Sequence, residues 1–137
     1  MKNIEKNKLL SRVDFKRLSF ELHNYTCVFC KEKAIDAHHI FDRKLFDDGG
    51  YYLNNVAPVC EKHHMDCEKT IISLEDVWLA CNITEPIYPV GFDKSLNYDK
   101  WGNIIVNEYS RIPGPLFNDG VQKIFKEQGN IWIFNNH

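Results

Sequence analysis

The spacing of apolar and polar residues predicts three helices, over residues 14–23, 61–70 and 74–81. Asp14 is placed to cap the first helix, and Ser73 begins a Ser-x-x-Asp capping box at the third. These three helices lie in the first 81 residues of the chain.

Two short runs with β character, residues 35–40 and 56–59, lie between the first two helices. The segment Asp47-Asp48-Gly49-Gly50 between them is a strong turn signal. Pro58 cannot donate a hydrogen bond to a sheet ladder, so the second strand is expected at a sheet edge. The first part of the chain is therefore predicted to have an α+β fold.

Residues 82–137 differ in composition and contain four prolines: Pro86, Pro89, Pro113 and Pro115. A turn at 101–103 is expected to lead into a strand over 104–106, followed by a short helix over 119–126 and a closing strand over 131–134. We therefore divide the chain into a core, residues 1–81, and a small α/β C-terminal extension, residues 82–137. Its expected role is left open between substrate recognition, dimerisation and completion of the core.

The length of 137 residues favours one domain with modest outgrowths. The sequence has no long apolar run and no signal-peptide pattern, so we expect no membrane association and a cytoplasmic location. The net charge of -2 argues against a large non-specific surface for nucleic acid. Residues 1–17 are nevertheless locally basic, which suits either contact with a phosphate backbone or a solvated helix face.

The chain has five cysteines, an odd number, and without an export signal disulfides are not expected. Cys27-x-x-Cys30 places two thiolates on a tight turn, and Cys60-x-x-His63 offers the other half of a tetrahedral zinc site. A structural zinc at this site would join residues 27–30 to residues 60–63 and stabilise the segment between them.

The fourth ligand of this zinc is less constrained, because His63, His64 and Cys67 all lie near one face of the predicted helix. Neighbouring residues of a helix point about 100° apart. We therefore assign His63 to the zinc and His64 to a different site, with Cys67 as the alternative fourth ligand.

Along the chain, Cys-x-x-Cys is followed by His38-His39-Ile40, by Gly49-Gly50, by Asn55 five residues before Cys60, and by Cys-x-x-His-His. This order of motifs closely resembles the HNH endonuclease family. The resemblance covers residues 14–72. It implies a ββα-metal fold, in which a two-stranded ribbon packs on a helix around a divalent cation; here a zinc site would staple that core.

The resemblance also implies roles for individual residues. His39 matches the general base, Asn55 matches the middle asparagine, and His38 and His64 match ligands of the catalytic cation. In the family the second zinc knuckle usually has two cysteines, and here His63 replaces the second of them.

The expected chemistry also follows from the residues themselves. A neutral imidazole takes a proton from water near neutral pH, which suits His39 to general-base work. A divalent ion such as Mg, Mn or Ni, held by His38 and His64, can bind a phosphate oxygen and stabilise the leaving 3′ oxyanion. Asn55 is expected to hydrogen-bond across the loop between the strands and orient His39. Since adjacent strand residues face opposite sides, a twist or bulge is expected to bring both histidines to one site.

We therefore expect a metal-dependent endonuclease that hydrolyses phosphodiester bonds of nucleic acid, with DNA favoured over RNA. Arg43 and Lys44 are candidate phosphate-binding residues, whereas Asp36 and Asp42 are expected to face solvent. The alternative is an inactive zinc-stapled module that binds nucleic acid or docks a protein, which needs only the zinc ligands. A homodimer or a partner subunit is left open, because one such site cuts one strand at a time.

Overall fold

The structure, a computed structural model, describes residues 5–107, 110–121 and 123. Its helices and strands follow in the order α1 (Arg12–Leu22), β1 (Asp36–His39), β2 (Val56–Val59), α2 (Glu61–Glu68), α3 (Leu74–Ala80), β3 (Ile104–Asn107) and β4 (Ser110–Ile112). Short 3-10 turns, Arg43–Leu45 and Leu53–Asn55, lie between β1 and β2. The fold is mixed α+β, with two-stranded antiparallel sheets β1-β2 and β3-β4.

The first sheet is a ribbon in continuous register, from Asp36 opposite Val59 to His39 opposite Val56. Strand alternation directs His38 to one face of this ribbon and His39 to the other. Of the twist or bulge expected between the two histidines, the bulge is therefore absent. The two side chains point to opposite faces of the ribbon.

Helices cover both faces of the ribbon. On one face, Phe15 of α1 packs in a small cluster with Leu53 and Val56. On the other face, the main core includes Phe41, which has no exposed surface, and Val77 of α3. The ribbon is thus held between α1 and the pair α2–α3, so side chains of β1 meet a helix on either side.

The C-terminal extension contributes to the same main core. Tyr98 and Leu116 lie in one cluster with Phe41 and Val77. The loop 98–103 is held by Asp99, whose Oδ1 accepts hydrogen bonds of 2.9 Å from the backbone N–H groups of Trp101 and Asn103. The Trp101 indole donates to the carbonyl of Glu68 at 2.7 Å, which fixes this loop against the end of α2.

Two details of the predicted helices are corrected. Ser11, not Asp14, caps α1: its hydroxyl accepts from the Asp14 N–H, so Asp14 lies in the first turn. Helix α2 ends at Glu68 rather than at residue 70, because Thr70 has a left-handed backbone with φ of 52°. One half of the predicted capping box of α3 is confirmed at Ser73, whose hydroxyl accepts from the Asp76 N–H at 3.1 Å.

In the C-terminal extension, β3 begins at Ile104 as predicted, and it pairs with the unpredicted strand β4. Of the predicted helix over 119–126, residues 119–121 and 123 are helical and the others lie outside the described residues. The predicted strand over 131–134 also lies outside them. Among the described helices, none has the length and apolar character needed to cross a bilayer.

Candidate active site

Cys27, Cys30, Cys60 and His63 converge in a cluster that could hold a metal ion such as zinc. His63 Nδ1 lies 3.2 Å from Cys60 Sγ and 3.5 Å from Cys27 Sγ, and the sulfurs of Cys30 and Cys60 are 3.9 Å apart. Around tetrahedral zinc, bonds of about 2.3 Å to sulfur and about 2.0 Å to nitrogen imply ligand separations of about 3.5–3.8 Å. The observed separations agree within a few tenths of an ångström, so these ligands fit a tetrahedral ion.

Cys67 stands apart from this cluster. It lies in the main core with 2% of its surface exposed, and burial raises the pKa of its thiol to about 12. For Cys27, burial also acts to raise the pKa, but hydrogen bonds from the backbone of Cys60, Phe29 and Cys30 outweigh it and lower that pKa. The thiolate form that zinc requires is thus favoured at Cys27 and disfavoured at Cys67.

A second cluster joins β1 to α2 through His38, His64 and Glu68. Glu68 Oε1 lies 2.9 Å from His64 Nε2 and 3.7 Å from His38 Nδ1. Because His64 and Glu68 are four residues apart, they occupy the same face of α2. His63, one residue earlier, points to the zinc cluster, so α2 supplies ligands to both sites.

Two buried atoms of this second cluster, His38 Nδ1 and Glu68 Oε2, have no hydrogen-bond partner among the described residues. An orphaned buried polar atom is costly, and both atoms are of the kind that ligates metal ions. Burial lowers the pKa of His38 to about 3, so its imidazole is neutral at physiological pH and keeps a lone pair for a metal. The three residues therefore fit a divalent cation.

Asp36 and Lys100 each contact a member of this cluster. Asp36 Oδ2 lies 3.0 Å from His64 Nδ1, a contact that directs the other ring nitrogen towards Glu68. Lys100 donates from Nζ to Glu68 Oε1 at 3.0 Å, although its side chain is only 5% exposed. Burial alone acts to raise the pKa of Glu68, but contacts with His38, His64 and Lys100 hold that pKa well below its usual range.

His39 lies on the other face of β1, with its ring centroid 4.5 Å from that of Phe15 and 4.9 Å from that of Tyr51. Its Nε2 donates to the Gly49 carbonyl at 3.1 Å, an arrangement that leaves Nδ1 as the unprotonated nitrogen. Burial, assisted by the charge of Lys100, lowers the pKa of His39 to about 4. The imidazole is therefore neutral near pH 7 and able to accept a proton.

Asn55 fixes the loop that carries the Gly49 carbonyl. Asn55 has no exposed surface. Its Oδ1 accepts from the Phe41 N–H at 2.9 Å, and its Nδ2 donates at 3.1 Å to the carbonyls of Phe41 and Gly50. Gly49 has φ of 86°, and a Cβ atom there would meet the Tyr51 ring at 2.7 Å. Asn55 is thus connected to His39 through the backbone of Gly49 and Gly50, while its predicted role in orienting His39 stays a prediction.

One cleft is lined by His39 and by two members of the second cluster, His64 and Glu68, whereas the buried His38 is not among its lining residues. Its lining residues are His39, His64, Glu68, Asp36, Asp42, Ala37, Phe15, Tyr51 and four basic residues, Arg12, Lys16, Arg43 and Lys100. Among the described residues, β1 has only β2 as a strand partner, so its other edge is open. Asp36 and His39 come from opposite faces of β1 and both line the cleft, which brings His39 beside His64 and Glu68 without a bulge.

The candidate phosphate-binding residues behave differently. Arg43 lines the cleft, whereas Lys44 is not among its lining residues. Asp42, expected to face solvent, is 7% exposed and accepts a hydrogen bond of 3.0 Å from the Lys44 N–H.

The chain matches no protein-family model, no curated protein and no solved structure.

Sequence reasoning missed Glu68 and Lys100. The four-residue spacing of His64 and Glu68 on one predicted helix was a signal that could have identified Glu68. Lys100 is 32 residues from Glu68 along the chain, and no local pattern connects the two.

Proposed function

We propose that this protein is a metal-dependent endonuclease that hydrolyses phosphodiester bonds of nucleic acid, with DNA favoured over RNA. The observation that carries the proposal is the shared cleft: His39 borders the same space as His64 and Glu68, and the buried His38 completes their cluster. Phosphodiester hydrolysis requires a general base and a divalent cation, and a neutral imidazole beside a set of cation ligands supplies both.

In the proposed reaction, His39 Nδ1 accepts a proton from water while the water oxygen attacks phosphorus. The Gly49 carbonyl holds the proton on Nε2 and so keeps the ring in the tautomer that can act as a base. The bond from phosphorus to the 3′ oxygen breaks, and that oxygen takes up a proton to become a hydroxyl. His38, His64 and Glu68 would hold a divalent cation, which supplies positive charge to a phosphate oxygen and to the leaving oxygen.

The charges of the cleft suit an anionic substrate. Four basic residues face three carboxylates, those of Asp36, Asp42 and Glu68. Two neutral imidazoles and one carboxylate neutralise only part of the charge of a divalent cation, so the loaded cleft is net positive. This local field attracts a phosphodiester although the whole chain has a net charge of -2.

The zinc cluster has a positioning role in this proposal. Cys60 is the N-cap of α2 and His63 lies in its first turn, directly before His64. A zinc ion bound there would fix the start of the helix that carries His64 and Glu68. A zinc-stapled binding module alone would have no need of the buried, orphaned atoms of the second cluster.

The test compares wild type with His39→Ala at equal zinc content, on supercoiled plasmid, single-stranded DNA and RNA with added Mg or Mn. Loss of the general base is expected to slow cutting by about a hundredfold or more. His23→Ala removes a histidine outside the cleft and serves as the matched control, with wild-type cutting expected. Equal cutting by wild type and His39→Ala would indicate a contaminant, and no cutting by wild type would favour the binding module.

A further inference from the structure

A shallow apolar groove lies on α1 beside the cleft. It is lined by Arg12, Val13, Lys16, Arg17, Phe20 and Tyr25. Val13 and Tyr25 are 74% and 54% exposed, so a branched aliphatic side chain and an aromatic ring are both open to solvent. Contiguous exposed apolar surface of this kind marks a binding site more often than an isolated exposed residue does.

The groove and the cleft share a wall. Arg12 and Lys16, which are four residues apart on α1, line both. Neither forms an ion pair with another described residue, whereas Arg17 is held by Asp14 and Glu21. Lys16 Nζ lies 5.5 Å above the Phe20 ring. Two available cations therefore stand between the candidate active site and the aromatic floor of the groove.

The backbone holds Tyr25 in an unusual conformation. Asn24 and Tyr25 have φ of 54° and 62°, two consecutive left-handed residues. Asparagine adopts this region readily, but for a bulky aromatic residue it is an outlier. Hydrogen bonds from the Tyr25 N–H to the Phe20 carbonyl at 2.8 Å and from the Ala34 N–H to the Tyr25 carbonyl at 2.9 Å fix it there. Strained residues of this kind cluster at ligand-binding sites.

We propose that this groove binds an unpaired stretch of the substrate strand as it leaves the cleft. Bases stack on Tyr25 and Phe20, and phosphates lie against Arg12 and Lys16. The inference rests on the proposed function and narrows its substrate class to nucleic acid with unpaired nucleotides next to the cut phosphate. Exposed rings beside a line of cations are how proteins bind single strands without sequence preference.

The occupant is a single strand rather than a duplex or an apolar peptide. In a duplex the faces of the bases are covered by their neighbours and cannot stack on a protein ring. An apolar peptide would use Val13, Phe20 and Tyr25 but would leave the charges of Arg12 and Lys16 without a partner. An unpaired strand satisfies the apolar floor and both cations together.

The experiment measures binding by fluorescence anisotropy, with the full zinc-loaded chain in a His39→Ala background. The probe is a labelled oligothymidylate of about twenty nucleotides, longer than one single-strand site. Val13→Glu and Tyr25→Leu are each expected to weaken binding about tenfold, because one places a negative charge in the groove and the other removes a stacking ring. Tyr25→Trp retains a ring and is expected to bind like the parent.

Leu79→Glu is the matched control for Val13→Glu: Leu79 is 76% exposed on α3 and lines neither the cleft nor the groove. Wild-type affinity is expected for it. Thermal unfolding and zinc content are measured for each variant, and Val13→Glu decides the matter if Tyr25→Leu does not fold. Parental affinity in Val13→Glu overturns the inference, as does tighter binding of a duplex of the same length.

Failure of the proposed function is recognised separately. Bis(p-nitrophenyl) phosphate is too small to need the groove, and its hydrolysis by wild type and His39→Ala reports on the active site alone. If hydrolysis depends on His39 but strand binding is unchanged by the substitutions at Val13 and Tyr25, only the proposal that the groove binds the strand is rejected. Absence of His39-dependent hydrolysis rejects the nuclease, while the binding series still decides the groove.

Discussion

At the residue scale, Glu68 connects the charges of the second cluster. One carboxylate oxygen lies within 3.0 Å of both His64 and Lys100, and the other has no partner among the described residues. Asp36, which is half exposed, is tied to the same network through His64. Among the described residues, this second oxygen of Glu68 has no donor, so it is available to the proposed cation.

Burial of His38 makes stability depend on pH in a defined direction. Its pKa is about 6.5 in an unfolded chain and about 3 in the fold, so folding favours the neutral ring. The stability that this preference contributes is fully present above the unfolded pKa. It is lost as pH falls towards the folded pKa, because the unfolded chain binds the proton first.

We therefore expect wild type, without added divalent cation, to lose about 2 kcal/mol from this residue between about pH 7 and about pH 5. His38→Gln has no such titration and should lack that part of the loss. Urea unfolding of both proteins at the two pH values measures the difference. An identical pH dependence in the two proteins would show that His38 titrates normally in the fold.

At the element scale, the loop 98–103 places the Lys100 ammonium group at the end of α2. The Lys100 N–H donates to Thr70 Oγ1 at 3.0 Å, and its carbonyl accepts from the Asp42 N–H at 3.1 Å. These bonds fix the backbone while the side chain reaches Glu68. The extension thus supplies a charged group to the cleft, a role that its composition did not indicate.

Lys100→Met removes the ammonium beside a mostly buried carboxylate and is expected to destabilise the fold by about 2 kcal/mol or more. Lys100→Arg keeps the charge and should lose less. Added Mn²⁺ should stabilise Lys100→Met more than wild type, because the cation replaces the missing positive charge and meets less repulsion. Urea unfolding with and without Mn²⁺ measures this, and equal stabilisation of both proteins would separate Lys100 from the cation site.

The proposed zinc staple joins the turn at residues 27–30 to the start of α2. Cys30→Ala removes one ligand, so we expect substoichiometric zinc and a loss of at least about 3 kcal/mol in the free energy of unfolding. Cys81→Ala is the matched control: Cys81 is buried in the main core outside the zinc cluster. It should keep its zinc and lose only packing energy, about 1 kcal/mol.

Zinc analysis and thermal unfolding of the two cysteine variants check this prediction. Full stability of Cys30→Ala would contradict the staple. Because α2 also carries His64 and Glu68, weaker binding of Mn²⁺ by Cys30→Ala is expected as well.

At the scale of the whole molecule, the features that the sequence could predict are those that local backbone geometry determines. The rotation of about 100° per helical residue separates His63 from His64 whatever surrounds them. The capping box of α3 lies within four consecutive residues. The N-cap of α1 was misplaced because Ser11 and Asp14 are both favourable capping residues, and only the backbone shows which of them lies outside the helix.

Features set by packing between distant segments were not predictable in this way. Within the described part of the chain, strand β1 has an open edge and lacks the expected bulge. Which edge is open depends on which strands pair. The contact of Lys100 with Glu68 depends on how the loop 98–103 meets α2. Tyr98 and Leu116 share the main core with Phe41, a contact between distant segments. The division of the chain into two parts near residue 81 was drawn from composition alone and stays a prediction.

The central claim is that His38, His64 and Glu68 hold a divalent cation in the cleft bordered by His39. Anomalous diffraction from crystals of zinc-loaded protein soaked in manganese tests it most directly. We predict a manganese peak about 2 Å from His38 Nδ1, His64 Nε2 and a Glu68 oxygen, with zinc at the Cys27–Cys30–Cys60–His63 cluster. Manganese bound only elsewhere, or a cleft without manganese while the zinc cluster is filled, would contradict the account.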